Sequence, residues 1–78
     1  MVTRVVLYSR KGCHLCTDAR PVVETVCAEA NTGWEEVDVD SDPSTAETYT
    51  ELVPAVTVDG VLRAFWRIDP GALHSFLH

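Results

Sequence analysis

Seventy-eight residues make one small domain, and a chain of that length buries only roughly 60–65% of the surface its unfolded form exposes. Three cysteines cannot all pair within one chain, and no apolar run approaches the ~18 residues of a membrane-spanning helix. The net charge is −6, with ten acids and no Lys or Arg from Glu24 to Asp59, so the chain lacks the concentrated basic footprint of a nucleic-acid binder.

The predicted elements follow in chain order. Val2 to Tyr8 reads as a strand, and the consecutive Val5, Val6 and Leu7 suit a central strand covered on both faces. Ser9 to Gly12 is the turn out of it. From Cys13 to about Ala30 the period becomes helical, with Leu15, Ala19, Val22, Val23, Val26, Cys27 and Ala30 on one apolar stripe. Pro21 inside that pattern predicts a kink, and Asn31-Thr32-Gly33 ends the helix. Trp34 to Asp40 reads as an edge strand, with Val37 and Val39 alternating against Glu36, Asp38 and Asp40. Ser41 or Asp42 caps a short helix that starts near Pro43 and runs to about Thr50. Ala55 to Val58 and Val61 to Trp66 flank Asp59-Gly60, a strong hairpin signal. Asp69-Pro70-Gly71 starts a last helix whose apolar face is Leu73, Phe76 and Leu77.

The order is β-α-β-α-β-β-α in a single domain, residues 1–78. The first two strands should be parallel with a right-handed crossover and the last two antiparallel. That gives an α/β fold with a four-stranded mixed sheet flanked by three helices, the smallest form of the thioredoxin fold. Met1-Val2-Thr3-Arg4 shows no leader-like pattern of charge followed by a long apolar stretch, which predicts a soluble cytoplasmic protein; a monomer is expected. In a reducing compartment a Cys pair points to catalysis or metal binding rather than to a structural bridge.

The pair stands in Ser9-Arg10-Lys11-Gly12-Cys13-His14-Leu15-Cys16. Residues three apart on a helix lie within the span of a disulfide, so Cys13 and Cys16 can open and close with little backbone movement. Free N–H groups and the positive dipole end at a helix N-terminus favour a thiolate at Cys13, and Arg10 and Lys11 add positive charge nearby. Cys16 leans toward the apolar stripe. Cys13 is therefore the expected nucleophile and Cys16 the resolving thiol. A zinc site would want a second short-spaced Cys or His pair, which Cys27, His14, His74 and His78 do not supply. Cys27 reads as a small buried hydrophobe, and Trp34 and Trp66 as packing or strand-end residues.

Tyr8-Ser9-x-x-Gly12-Cys13-x-x-Cys16, Pro21 five residues beyond it, and Val53-Pro54 before the hairpin resemble a glutaredoxin, or a glutaredoxin-like member of the thioredoxin superfamily. The resemblance covers nearly the whole chain. A proline at a strand start is ordinarily trans. The resemblance implies instead that Val53–Pro54 is cis and faces Cys13, with the Val53 backbone pairing with a bound peptide or thiol. The chain departs from glutaredoxins in its inner pair, His14-Leu15 rather than Pro-Tyr. It also departs at Phe65-Trp66-Arg67-Ile68-Asp69-Pro70, where they carry Gly-Gly followed by acids and backbone amides hold the glutathione carboxylate. A protonated His14 can stabilise the thiolate, or stand in solvent with little influence. Arg67 is a candidate for a substrate carboxylate or an ordinary surface arginine.

The resulting expectation is a small thiol–disulfide oxidoreductase that reduces protein or low-molecular-weight disulfides. Its catalytic residues are Cys13 and Cys16; Arg10, Lys11, His14, Val53, Pro54 and Arg67 contact substrate. No cofactor is held, and glutathione, another small thiol or a flavoprotein reductase restores the dithiol. The alternatives are a glutaredoxin-like iron–sulfur carrier and a non-catalytic binding module.

Overall fold

The computed structural model describes residues 4–41, 43–49 and 52–77, with backbone alone for 45 and 46. Met1, Val2, Thr3, Asp42, Thr50 and His78, which the sequence reading touched, lie outside the described residues.

β1 (Val5–Ser9) leads into α1 (His14–Glu29), and β2 (Trp34–Asp38) returns beside β1. α2 (Pro43–Tyr49), β3 (Ala55–Val58), β4 (Val61–Phe65) and α3 (Pro70–Ser75) follow. The sheet order is β2-β1-β3-β4, with β1 parallel to β2 and antiparallel to β3, and β3 antiparallel to β4. This is the mixed four-stranded sheet with three helices that the patterning predicted, and β2 is an edge strand as expected.

Register explains which side chains meet. Val5 pairs with Val58 and Leu7 with Val56, so these four share one face of the sheet. Ala19, Val23, Val26 and Cys27 of α1 and Leu73 and Leu77 of the C-terminal segment cover that face. Leu7 and Val23 are fully buried, and covering such a side chain stabilises the fold by about 1.5–3 kcal/mol. α1 runs unbroken through Pro21, although proline cannot donate to the Thr17 carbonyl one turn earlier. The helix ends where Asn31 takes a positive φ of 52°, and Thr32 N–H reaches back to the Cys27 carbonyl at 2.8 Å. Asp59 and Gly60, at φ 54° and 84°, make the two-residue hairpin turn whose twist suits the flanking strands.

Four expectations are corrected. The strand from Trp34 stops at Asp38, and Val39–Ser41 is a short 3-10 helix. Asp38 Oδ1 accepts the Asp40 N–H at 2.9 Å and its carbonyl accepts the Ser41 hydroxyl at 2.6 Å, a local alternative to the sheet ladder. The hairpin's second strand ends at Phe65, so Trp66 lies just past it. Leu15 leaves the apolar stripe and is 42% exposed, while its neighbour Cys16 in the same first turn is the one turned inward. Phe76 caps α3 at the surface, beneath the Arg63 guanidinium at 5.0 Å from its ring centroid, rather than joining Leu73 in the core.

Candidate functional site

The end of β1 delivers the chain into a turn in which Gly12 has φ 80° and a Cβ would meet nothing within 4 Å. Any cost of a side chain there comes from the backbone angle alone. Gly12→Ala is expected to lower stability by about 1–2 kcal/mol in urea unfolding, and a value near zero would contradict the left-handed turn.

Cys13 then caps α1, with φ −85° and ψ 112°, and its sulfur accepts the Cys16 N–H at 3.2 Å. The cap satisfies one of the helix's orphan donors with a sulfur, and a thiolate is the better acceptor. Cys13 is half-buried and Cys16 only 2% exposed, and both are free thiols. Burial pushes the Cys16 thiol up to about 11, helped by its hydrogen bond to the Cys13 sulfur and opposed by one with the Arg10 backbone. One sulfur is thus reachable and poised to accept a hydrogen bond, and the other is covered and keeps its proton. Cys27 is buried on α1, and burial raises its thiol too.

The predicted substrate-side residues divide. Arg10 pairs with Asp40, its Nε and Nη2 donating to the carboxylate at 3.2 and 3.1 Å. Its charge is shared with an acid of the 3-10 turn instead of standing alone beside Cys13. Lys11 is exposed in the turn and makes no ion pair among the described residues. His14 is exposed at the first position of α1. The Val53–Pro54 bond is cis, Pro54 is buried, and Val53 is half-buried with no backbone hydrogen bond among the described residues. Leu15 and Val53 line one hollow with Phe65, Trp66 and Arg67, which brings the proline loop beside the turn that carries the cysteines.

Two features escaped the sequence reading. Behind the cysteines, Arg20 Nε and Nη2 donate to Glu36 at 2.7 and 2.8 Å, and the Ser9 hydroxyl donates to the same carboxylate at 2.7 Å. The Arg20 guanidinium holds Glu36 below the usual carboxylate range, so this acid stays charged and structural. Pairing of Leu7 with Glu36 puts the acid on the α1 side of the sheet, a consequence of parallel register. The second is the surface made by Leu15, Phe65 and Trp66, which are 42%, 44% and 52% exposed. Among the described residues no three His, Cys, Asp or Glu side chains gather as a metal-binding group. No described helix is long and apolar enough to cross a membrane.

Comparison with known proteins fixes the class. The chain superposes on a mutant thioredoxin from Halobacterium salinarum NRC-1 with a TM-score of 0.73 at 24% identity, over 94% of this chain and 69% of that one. Protein Ne2328 from Nitrosomonas europaea gives 0.79 at 21% identity, over 100% and 95% of the two chains. The fold is thioredoxin-like, with a Cys-x-x-Cys pair at the head of its first helix. The profile of the Glutaredoxin-like domain (DUF836) matches residues 4–78, and the chain belongs to that family. It is also 31% identical to XcR50 from X. campestris, over 94% of this chain and 93% of that one, with a TM-score of 0.69. No curated protein matches it.

Proposed function

We propose that this domain is a thiol–disulfide oxidoreductase in which Cys13 attacks and Cys16 resolves. The observation that carries the reading is the difference between the two sulfurs: a half-buried Cys13 that accepts a backbone N–H at the helix cap, and a covered Cys16 whose thiol is pushed up to about 11. The Cys13 thiolate attacks one sulfur of a substrate disulfide; a Cys13–substrate bond forms and the other sulfur leaves as a thiolate. Cys16 then gives up its proton and attacks the Cys13 sulfur. The substrate's second thiolate departs, and the protein holds a Cys13–Cys16 disulfide. Two electrons have moved from the dithiol to the substrate, which leaves as two thiols once protonated. A low-molecular-weight thiol such as glutathione, or a flavoprotein reductase, returns the electrons.

The main-chain groups of Val53 support the same reading, because no described residue takes them up and an extended substrate can pair with them. Lys11, exposed in the turn two residues before Cys13, is a further candidate to meet the substrate. Work of this kind suits a reducing compartment, and we assign the domain to the cytoplasm on that ground.

The test is a redox titration in graded thiol/disulfide buffers, with free thiols trapped and the bridge mapped by mass. The expected result is a Cys13–Cys16 bridge with a potential of roughly −180 to −270 mV, the range of working exchange proteins. A bridge that involves Cys27, or none at any poise, defeats the proposal.

A further inference from the structure

We propose that the hollow beside the cysteine pair selects polypeptide disulfides whose half-cystine is followed by a bulky apolar residue, with Trp66 setting that preference. The inference rests on the exchange chemistry above and adds to it the class of substrate.

The hollow has two adjoining parts that share Leu15, Trp66 and Arg67. One, of about 510 Å³, is completed by Val53 and Phe65; the other, of about 300 Å³, reaches Asp18 and Ile68. Single exposed apolar residues are ordinary on a protein surface. Here Leu15 lies between the two cysteines and shares a concave wall with two exposed aromatics, and such contiguous patches mark contact with another molecule.

The backbone supplies a second observation. Trp66 has φ 64°, and the Arg67 N–H bonds to the Phe65 carbonyl at 2.9 Å, which closes the rare, strained form of γ-turn. A bulky side chain in this region is an outlier, and residues held so cluster at ligand clamps. Glycine would hold the same angle without strain, yet the position carries an indole 52% exposed. The turn is kept in place by the Trp66 N–H, which donates to the Pro54 carbonyl at 2.8 Å, and by the edge-to-face contact with Phe65 at 5.1 Å. The strain therefore fixes a large aromatic ring beside the proline loop and next to Leu15.

The occupant follows from its chemistry. A γ-linked Glu-Cys-Gly tripeptide has no apolar side chain to fill such a hollow; a polypeptide does. An extended chain that pairs with the open Val53 backbone and brings its half-cystine to Cys13 turns alternate side chains to opposite faces, so a neighbouring residue is directed at the Leu15–Trp66 wall. Arg67, which makes no ion pair among the described residues, lines both parts of the hollow and can take a carboxylate or carbonyl of the same chain.

The test uses the reduced full-length protein and two synthetic peptides that differ only after their cysteine, Phe in one and Gly in the other. Each is joined to mercaptoethanol by a disulfide, and exchange is followed by chromatography. The Phe peptide is expected to react about tenfold faster, the share of an aromatic transfer free energy that a partly covered ring retains. In Trp66→Gly, which keeps the turn's φ, and in Leu15→Ala the ratio is expected to fall toward one. Glutathione disulfide should react no faster than the Gly peptide. Equal peptide rates in the native protein, a ratio unmoved in both variants, or faster reaction with glutathione disulfide overturns the substrate assignment while leaving the exchange chemistry standing. No exchange with any of the three removes both.

Discussion

Replacing Cys16 with serine is expected to stop the reaction halfway. Cys13 keeps its place at the cap of α1, where the backbone N–H of residue 16 reaches its sulfur at 3.2 Å, a bond that does not depend on the side chain of residue 16. It should still attack a disulfide. The mixed disulfide then has no neighbouring thiol to resolve it and accumulates as a covalent adduct on Cys13, visible by mass spectrometry and lost on adding a reductant. Cys13→Ser removes the nucleophile instead, and turnover should fall by ~10³-fold or more, with no adduct on Cys16 or Cys27. Both remaining sulfurs are buried, at 2% and 1% exposure, so neither can replace the lost one. An adduct on Cys27, or two serine variants with indistinguishable behaviour, would reverse the assignment of roles. A scaffold that only binds partners would show no dependence on either residue.

How far the sequence could be read depended on the range of the interaction involved. Periodicity is local, and it located β1, α1 and the hairpin strands, because Val5–Leu7, the stripe from Ala19 to Cys27, and Asp59-Gly60 each state their own geometry within a few residues. Caps were equally legible: Asp69 accepts the Gly71 N–H at 3.2 Å, as the Asp-Pro-Gly pattern implied. Failures arose where the deciding partner is distant or the pattern is degenerate. Val39 continues a period-two alternation perfectly well, and only the Asp38 side chain turning on its own backbone ends the strand. Leu15 and Phe76 fit a helical stripe, yet in each case it is the next residue, Cys16 or Leu77, that the fold turns inward.

The candidate site shows the same division. The Cys pair and its orientation were legible because spacing on a helix is a local fact. The electrostatics around it were not. Arg10 and Arg20 stand near the cysteines in sequence, but Asp40 and Glu36, 30 and 16 residues away, take their charges. What remains positive around the pair is Lys11 and Arg67, and only the folded arrangement shows that Arg67 shares a hollow with Leu15. The Trp66 angle is a further case, since nothing in Phe65-Trp66-Arg67 as a string announces a positive φ.

Alkylation of Cys16 is expected to be slow, and to become faster when the Cys13 sulfur is taken away. Burial is the largest reason its thiol is raised from 9.0 to about 11, and the hydrogen bond to the Cys13 sulfur comes next. At pH 8 that leaves roughly a hundredfold fewer thiolates than an unperturbed cysteine would have, so iodoacetamide should label Cys13 first and Cys16 at least that much more slowly than a free thiol. The sign of the linked stability follows. A thiol whose folded value is raised favours the folded state fully below pH 9.0, and that contribution is lost as the pH rises toward about 11. Unfolding curves should therefore weaken across that alkaline window in the native protein and less so in Cys16→Ser. Part of the shift comes from the neighbouring Cys13 sulfur, first through its hydrogen bond and then through charge repulsion. Bonding Cys13 to a substrate removes these two contributions and makes Cys16 easier to deprotonate after the first attack, while burial, the largest cause, remains. Cys13→Ala removes both contributions, and its Cys16 should alkylate faster than in the native protein at the same pH. A rate that is unchanged, or a native Cys16 as reactive as a free cysteine, would show that the two sulfurs act independently and that nothing in the site orders the two steps.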